Sequence, residues 1–353
     1  MSTLCLSDDG LKALEEITIE KSDAELEKGF SFQPTRDGQA IGFTEIGFAK
    51  PITIHIERVY TGKYPKLGWK KKKDMLITTA YKSENIVGAS PRSFNWIERG
   101  IKKTNKSYTT VSATQEGTNL VYAKPAVDKD AIILTIDLSF DDFDDSLLDI
   151  LSKILGSAGA IPAFSAYSPY LLVAGKLMNL GKEIGNRLLD SKPEISLDTK
   201  LYFRRAGKIP VKEGKILVVP EEFVSIAKNT FTISDDDRLI DKNSGKEYDG
   251  NQPYVILSLD GSPLSSELQE FSPSLASAAQ LKRFLTVNEG EDTDADIIID
   301  ALKLYNDYKF RIEAEELQKL LGKQDLSEKE KQRITDELNA ITQNIINEVL
   351  RPS

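Results

Sequence analysis

Histidine and cysteine are almost missing: the 353-residue chain has one of each, His55 and Cys5. No disulfide can form within the chain, and no Cys/His zinc set can be assembled. A Ser–His–Asp triad would have to use His55, which sits in an alternating, strand-like run. An excess of positive charge is lacking too. Forty-six Lys and Arg against 55 Asp and Glu give a net charge of −9, which argues against nucleic-acid binding, since that needs a basic footprint. No Gly-x-Gly-x-x-Gly follows a strand candidate, and no regular βαβ alternation exists, so a dinucleotide-binding fold is a poor fit. The opening MSTLCLSDDG has neither a basic n-region nor an apolar h-region, so a secretory signal is not expected. Cys5 reads as a thiol on a frayed terminus. Sparse cysteine fits a reducing compartment such as a bacterial cytosol. The expected location is cytoplasmic, with peripheral contact at a membrane as an option.

What is present is an ordinary globular balance, 40% apolar and 29% charged. The pattern divides into an N-terminal segment at 1–40, a β domain at 41–262 interrupted by an insert at 146–189, and a helical tail at 263–353. Ile52, Ile54 and Ile56 alternate with Thr53, His55 and Glu57, the period of a half-buried strand. Further strands are expected at 75–80, 107–113, 120–124, 131–140, 195–203, 215–219, 230–234 and 254–260. Turn chemistry separates many of them, as at Tyr60-Thr-Gly-Lys, Asn243-Ser-Gly and Tyr248-Asp-Gly-Asn. Many short strands with polar turns indicate an antiparallel β-sandwich. A short helix is expected around Leu11–Ile17. A second is expected over Pro91–Lys103, with Ser90 as N-cap and Phe94, Ile97 and Ile101 on one face. In the tail, residues 296–321 read as one helix. Ser327 and Glu330 form a capping box that opens another. The two are expected to make an antiparallel hairpin. The fold class is therefore α+β: a sandwich with an inserted apolar helical hairpin and a C-terminal helical hairpin.

The insert has an amphipathic stripe (Leu147, Leu148, Ile150, Leu151, Ile154 and Leu155), then 22 residues without charge from Ile154 to Gly175. That length could span a bilayer, but Pro162 and Pro169 interrupt it, and unpaired backbone in lipid is costly. A buried helix–loop–helix is the first reading. Insertion into a membrane after a trigger and cover by a partner are the others.

Four groups are candidates for chemistry or binding. His55 shares a strand face with Glu57, which would raise its pKa and make it pH-sensitive; the alternative is a solvent-facing histidine with no base role. The acidic residues Asp141, Asp142, Asp144 and Asp145, with Asp235, Asp236 and Asp237, offer hard oxygen ligands that suit calcium, the one metal worth weighing. A third acidic group, Glu289 to Asp296, imitates an EF-hand loop, but Ile297 occupies the required glycine position. Acids ahead of a helix also complement its positive end. The run Trp69, Lys70, Lys71, Lys72 and Lys73 forms a basic, aromatic-flanked loop. It suits either an anionic lipid surface or plain solvation. Finally Ile334, Leu338, Ile341, Ile345 and Val349 recur at helical spacing in the last helix, a seam for a partner helix or for the chain's own body.

The stretch from Pro51 to about Asp145 resembles the beginning of a C2-type β-sandwich: alternating isoleucines (Ile52–Tyr60), a loop (Gly62–Lys73), then a second strand (Met75–Ala80). The resemblance implies docking on a membrane or a protein. Many such modules hold calcium with aspartates from two loops. Here the first loop has lysines in that place, so the resemblance implies docking on lipid or protein without a metal.

The expected function is that of a non-enzymatic binding or adaptor protein. It would dock on a protein partner or an anionic membrane through the basic loop and the tail, with no nucleic acid and no obligatory cofactor. A membrane-active effector that releases residues 146–189 after proteolysis is the alternative. A hydrolase using paired carboxylates is the third reading.

Overall fold

The computed structural model of the protein describes residues 3–7, 10–13, 35–36, 39–40, 46–64, 72–84, 92–102, 107–109, 119–141, 161–163, 193–204, 211, 213–263, 307–308, 310–323 and 326–352. Over these residues the fold is mixed α+β, built on antiparallel sheets with three helices. The strands are β1 (Thr3–Ser7), β2 (Gly10–Ala13), β3 (Thr35–Arg36), β4 (Gln39–Ala40), β5 (Ile52–Tyr60), β6 (Lys72–Ser83), β7 (Arg92–Lys102), β8 (Ser107–Thr109), β9 (Leu120–Lys124), β10 (Ala131–Asp141), β11 (Ile161–Ala163), β12 (Ile195–Tyr202), β13 (Gly214–Val218), β14 (Phe231–Ile233), β15 (Leu239–Asp241) and β16 (Tyr254–Asp260). The helices are α1 (Glu221–Thr230), α2 (310–321) and α3 (Glu328–Gln343).

One sheet has seven strands, in the order β2-β1-β13-β16-β5-β8, with β9 also paired to β5. A second has five, in the order β11-β7-β6-β10-β12. The alternation in β5 does what its period demands. Ile52, Ile54 and Ile56 are fully buried and meet Met75, Ile77, Ile132, Leu134, Ile136 and Leu138 of the other sheet in one core. Each such side chain stabilises the fold by about 1.5–3 kcal/mol on burial. Asn95, also fully buried, ties the sheets together: Thr79 Oγ1 donates to its Oδ1 at 2.8 Å, and its Nδ2 donates to the Leu120 carbonyl at 3.1 Å.

The seven-stranded sheet is covered on its other face as well. Tyr60, Leu217, Tyr254 and Ile256 pack there against Phe223 and Ala227 of α1 and against the β14–β15 hairpin. Tyr248 completes this layer, edge-on to Tyr60 at 5.4 Å and to Phe231 at 5.2 Å. Gly62 makes the turn after β5 at φ +58°. A Cβ there would lie 2.3 Å from the Asn251 carbonyl oxygen, so only glycine fits.

Several expectations are corrected. Arg92–Lys102 is a strand, not a helix. Two bulges explain the misleading spacing. The register with β6 slips at Asn95 and again around Gly100, which takes φ +69°. Each slip adds a residue, so the buried Trp96 and Ile101 fall five apart instead of an even number. Leu11–Ala13 is also extended, in β2, where pairing with β1 prevails over local helical spacing. Cys5 is not in a frayed end: its backbone pairs with Ile216 on one side and Lys12 on the other. Helix α1 falls where only strands and a connection were expected. Its signal was Pro220 followed by Glu221 and Glu222, then Phe223 and Ala227 one turn apart. The insert at 146–189 lies outside the described residues except for Ile161–Ala163, which is extended and paired to β7.

The tail packs back on the β body. Ala314, Ala340, Ile341 and Ile345 are buried. Asn344 Nδ2 donates to the Ala126 carbonyl at 3.0 Å, and Lys124 Nζ sits 4.9 Å from the centre of the Phe310 ring. Arg204 lies over Phe48 and reaches Glu337 at 3.8 Å. Helix α3 begins at the expected capping box: Ser327 accepts from the Glu330 N–H, and Glu330 accepts from the Ser327 N–H. It ends at Gln343, short of Val349. The Asp307 carboxylate takes the Ile346 and Asn347 N–H groups at 3.1 and 2.8 Å, which turns the chain out of the helix. Among the described residues no helix is long and apolar enough to cross a membrane.

Candidate functional site

Of the basic run, Trp69, Lys70 and Lys71 lie outside the described residues, while Lys72 and Lys73 are already in β6. The strand register then adds what the linear sequence hides. Lys72 stands directly opposite Lys102 of β7. In the sequence Lys70 and Lys71 precede Lys72, and Lys103 follows Lys102; the register itself brings Lys72 and Lys102 together at one end of the five-stranded sheet. Like charges directly opposite on neighbouring strands work against the fold. Lys73 is turned to another use: its Nζ lies 3.1 Å from Glu194 and donates to the Phe140 carbonyl at 3.2 Å. Lys102 and Lys103 escape a linear reading because the spacing of Phe94, Ile97 and Ile101 reads as helical; their signal is their charge.

In the tail seam, Ile341 and Ile345 are buried, and Ile334 and Leu338 are half-buried. Val349, beyond the helix end, is 84% exposed in a 3-10 turn (Glu348–Leu350). A different apolar set faces outward: among the described residues of the tail, Tyr308, Ile312, Leu320 and Ile346 join Val349 as exposed large hydrophobics.

His55 is half-buried and faces Ser258 across β16. Burial pushes its pKa below the ordinary value; the nearby Glu57 and Asp260 raise it, but by less. The expectation that Glu57 would lift the His55 pKa is therefore corrected, because desolvation is the larger effect. Glu57 is itself engaged, accepting from the Ser258 hydroxyl.

Asp235, Asp236 and Asp237 lie in the β14–β15 turn among cations. Lys215 Nζ is 2.8 Å from Asp237 and donates to the Asp235 carbonyl at 3.0 Å. Arg238 reaches Asp236 at 2.6 Å, and Arg58 donates to the Asp236 carbonyl. The Ser234 hydroxyl, with Arg238 and Arg58, holds the Asp236 carboxyl below the usual range. Asp141 ends β10 opposite Asp74, while Asp142, Asp144 and Asp145 lie outside the described residues. Among the described residues no three or more His, Cys, Asp or Glu side chains gather closely enough to hold a metal ion.

The sequence matches no family model and no curated protein.

Proposed function

We propose that this chain is a non-enzymatic binding protein that docks on an anionic membrane surface through the shared end of β6 and β7. The observation behind this reading is the Lys72–Lys102 register; the sequence carries Lys70 and Lys71 before that pair and Lys103 after it. Basic residues held at such a surface contribute about 1 kcal/mol each. A C2-like sandwich would suit this task; its support is the core shared by the two sheets. The tail supplies the adaptor half. As an antiparallel hairpin clasped at Asp307, it would offer Tyr308, Ile312, Leu320, Ile346 and Val349 to a protein partner.

Vesicle flotation tests the lipid half. The protein should float with phosphatidylserine vesicles at low salt and be released at high salt. A Lys70→Glu/Lys71→Glu/Lys72→Glu chain and a Lys102→Glu/Lys103→Glu chain should each lose most of this binding, by about tenfold or more. Flotation unchanged in the second variant would discard the two-strand site.

A further inference from the structure

Among the strands that end a sheet path, β2 has four residues, β8 has three, and β11 has three with Pro162 in the middle. Strand β12 has eight. A long open edge presents unmet N–H and C=O groups, and proteins ordinarily keep such edges short, break them with proline or cover them. Nothing among the described residues pairs with β12 on the side away from β10.

The phase of the ladder shows which backbone groups face outward. The Phe203 N–H donates to the Asp130 carbonyl at 2.9 Å, and Ala131 stands opposite Tyr202. Antiparallel bonding alternates residue by residue, so Leu197, Thr199 and Leu201 bond to β10. Ser196, Asp198 and Lys200 turn their N–H and C=O groups outward. Ser196 and Asp198 are exposed. The charged side chains lean over their own sheet and do not shield its edge: Asp198 accepts from Thr135 Oγ1 at 2.6 Å, and Lys200 pairs with Glu84.

From this edge we infer that a second copy of the chain pairs antiparallel with β12 across a two-fold axis at Leu197, joining the two five-stranded sheets into one. Three in-phase registers bring the outward groups together, and two of them fail. Centring on Thr199 sets Ser196 against Tyr202 of the other copy. There the edge is already crossed by the chain, because the Val211 N–H donates to the Tyr202 carbonyl at 2.8 Å. Centring on Asp198 stacks that carboxylate on its own copy, which is unfavourable. Centring on Leu197 keeps clear of Val211. It sets Ser196 opposite Asp198, a hydroxyl beside a carboxylate, on each side of the axis. Each Ser196–Asp198 pair exchanges two backbone hydrogen bonds.

The full chain tests this in sedimentation velocity. The parent should shift from monomer to dimer as its concentration rises to about 100 μM. Asp198→Pro should hold it monomeric with little change in its melting temperature. The proline removes an outward N–H and no bond to β10, and edge strands tolerate it. If that variant fails to fold, cross-linking decides. Chains bearing Ser196→Cys and chains bearing Asp198→Cys, each with Cys5→Ser, are mixed and oxidised. Facing Cα atoms of a hydrogen-bonded pair lie about 5.5 Å apart, within disulfide reach. A mixed disulfide dominating over either self-linked product supports the Leu197 axis. A parent chain that stays monomeric throughout, or a mixture that yields no mixed disulfide, overturns the inference.

Discussion

His55 is half-buried in β5, and its surroundings set its chemistry. The alternation of β5 put it on the face with Thr53 and Glu57, and there it lies. What the alternation did not reveal is the burial, which outweighs the two neighbouring carboxylates and pushes the imidazole pKa below its ordinary 6.5. The folded chain therefore holds this proton less readily than the unfolded chain does. Stability attached to neutral His55 is fully present above pH 6.5 and drains away as pH falls through that value. In His55→Asn this loss should vanish. Melting temperature followed from about pH 7 to about pH 5 should fall less steeply in the variant than in the parent. Parallel curves would mean the histidine is no more buried than in the unfolded chain. Asp128 is the opposite case. Burial pushes its carboxyl up, but the Lys124 and Lys129 ammonium groups together outweigh that and hold it below the usual range. Its contribution is lost only in acid, as pH falls below the ordinary carboxylate value.

At the scale of elements, the start of α3 was readable because the reason for it is local. Ser327-x-x-Glu330 announced the start of α3, and the box is there with both of its hydrogen bonds. Ser327→Ala should cost that helix about 1 kcal/mol, seen as faster amide exchange in its first turns while β5 and β16 keep their protection. Equal exchange in both chains would show that docking on the body, and not the cap, holds the helix start. Its far end was hidden because the groups that stop it come from Asp307, close to forty residues earlier in the chain. Strand β7 was hidden for a related reason. Its two bulges shift the inward-facing positions, so Phe94, Ile97 and Ile101 imitate a helix face until β6 supplies the partner. The proposed lysine surface was half hidden along with it: Lys72 belongs to a charged run visible in the sequence, but Lys102 comes opposite it only through that strand pairing.

Over the described residues, the long strands other than β7 were legible and their partners were not. Tyr254–Asp260 was recognisable as a strand from its apolar content, but nothing local says that it lies beside Ile52–Tyr60. The junction between the sheets depends on polar groups as well as on aliphatic packing. Asn95→Ala would leave Thr79 and the Leu120 carbonyl without their buried partner, at about 2–4 kcal/mol. Urea titration should show a lower midpoint with an unchanged slope; an unmoved midpoint would mean that water replaces the amide without loss. The long-range pairing also bears on how the molecule is made. Strand β1 waits for Gly214–Val218, and β5 waits for Tyr254–Asp260. Until the ribosome has released residues near 260, the isoleucines of β5 have one flank open to neighbouring nascent chains. The body can close only late in translation, so crowding on the polysome, more than the finished fold's own stability, would set the yield of soluble product.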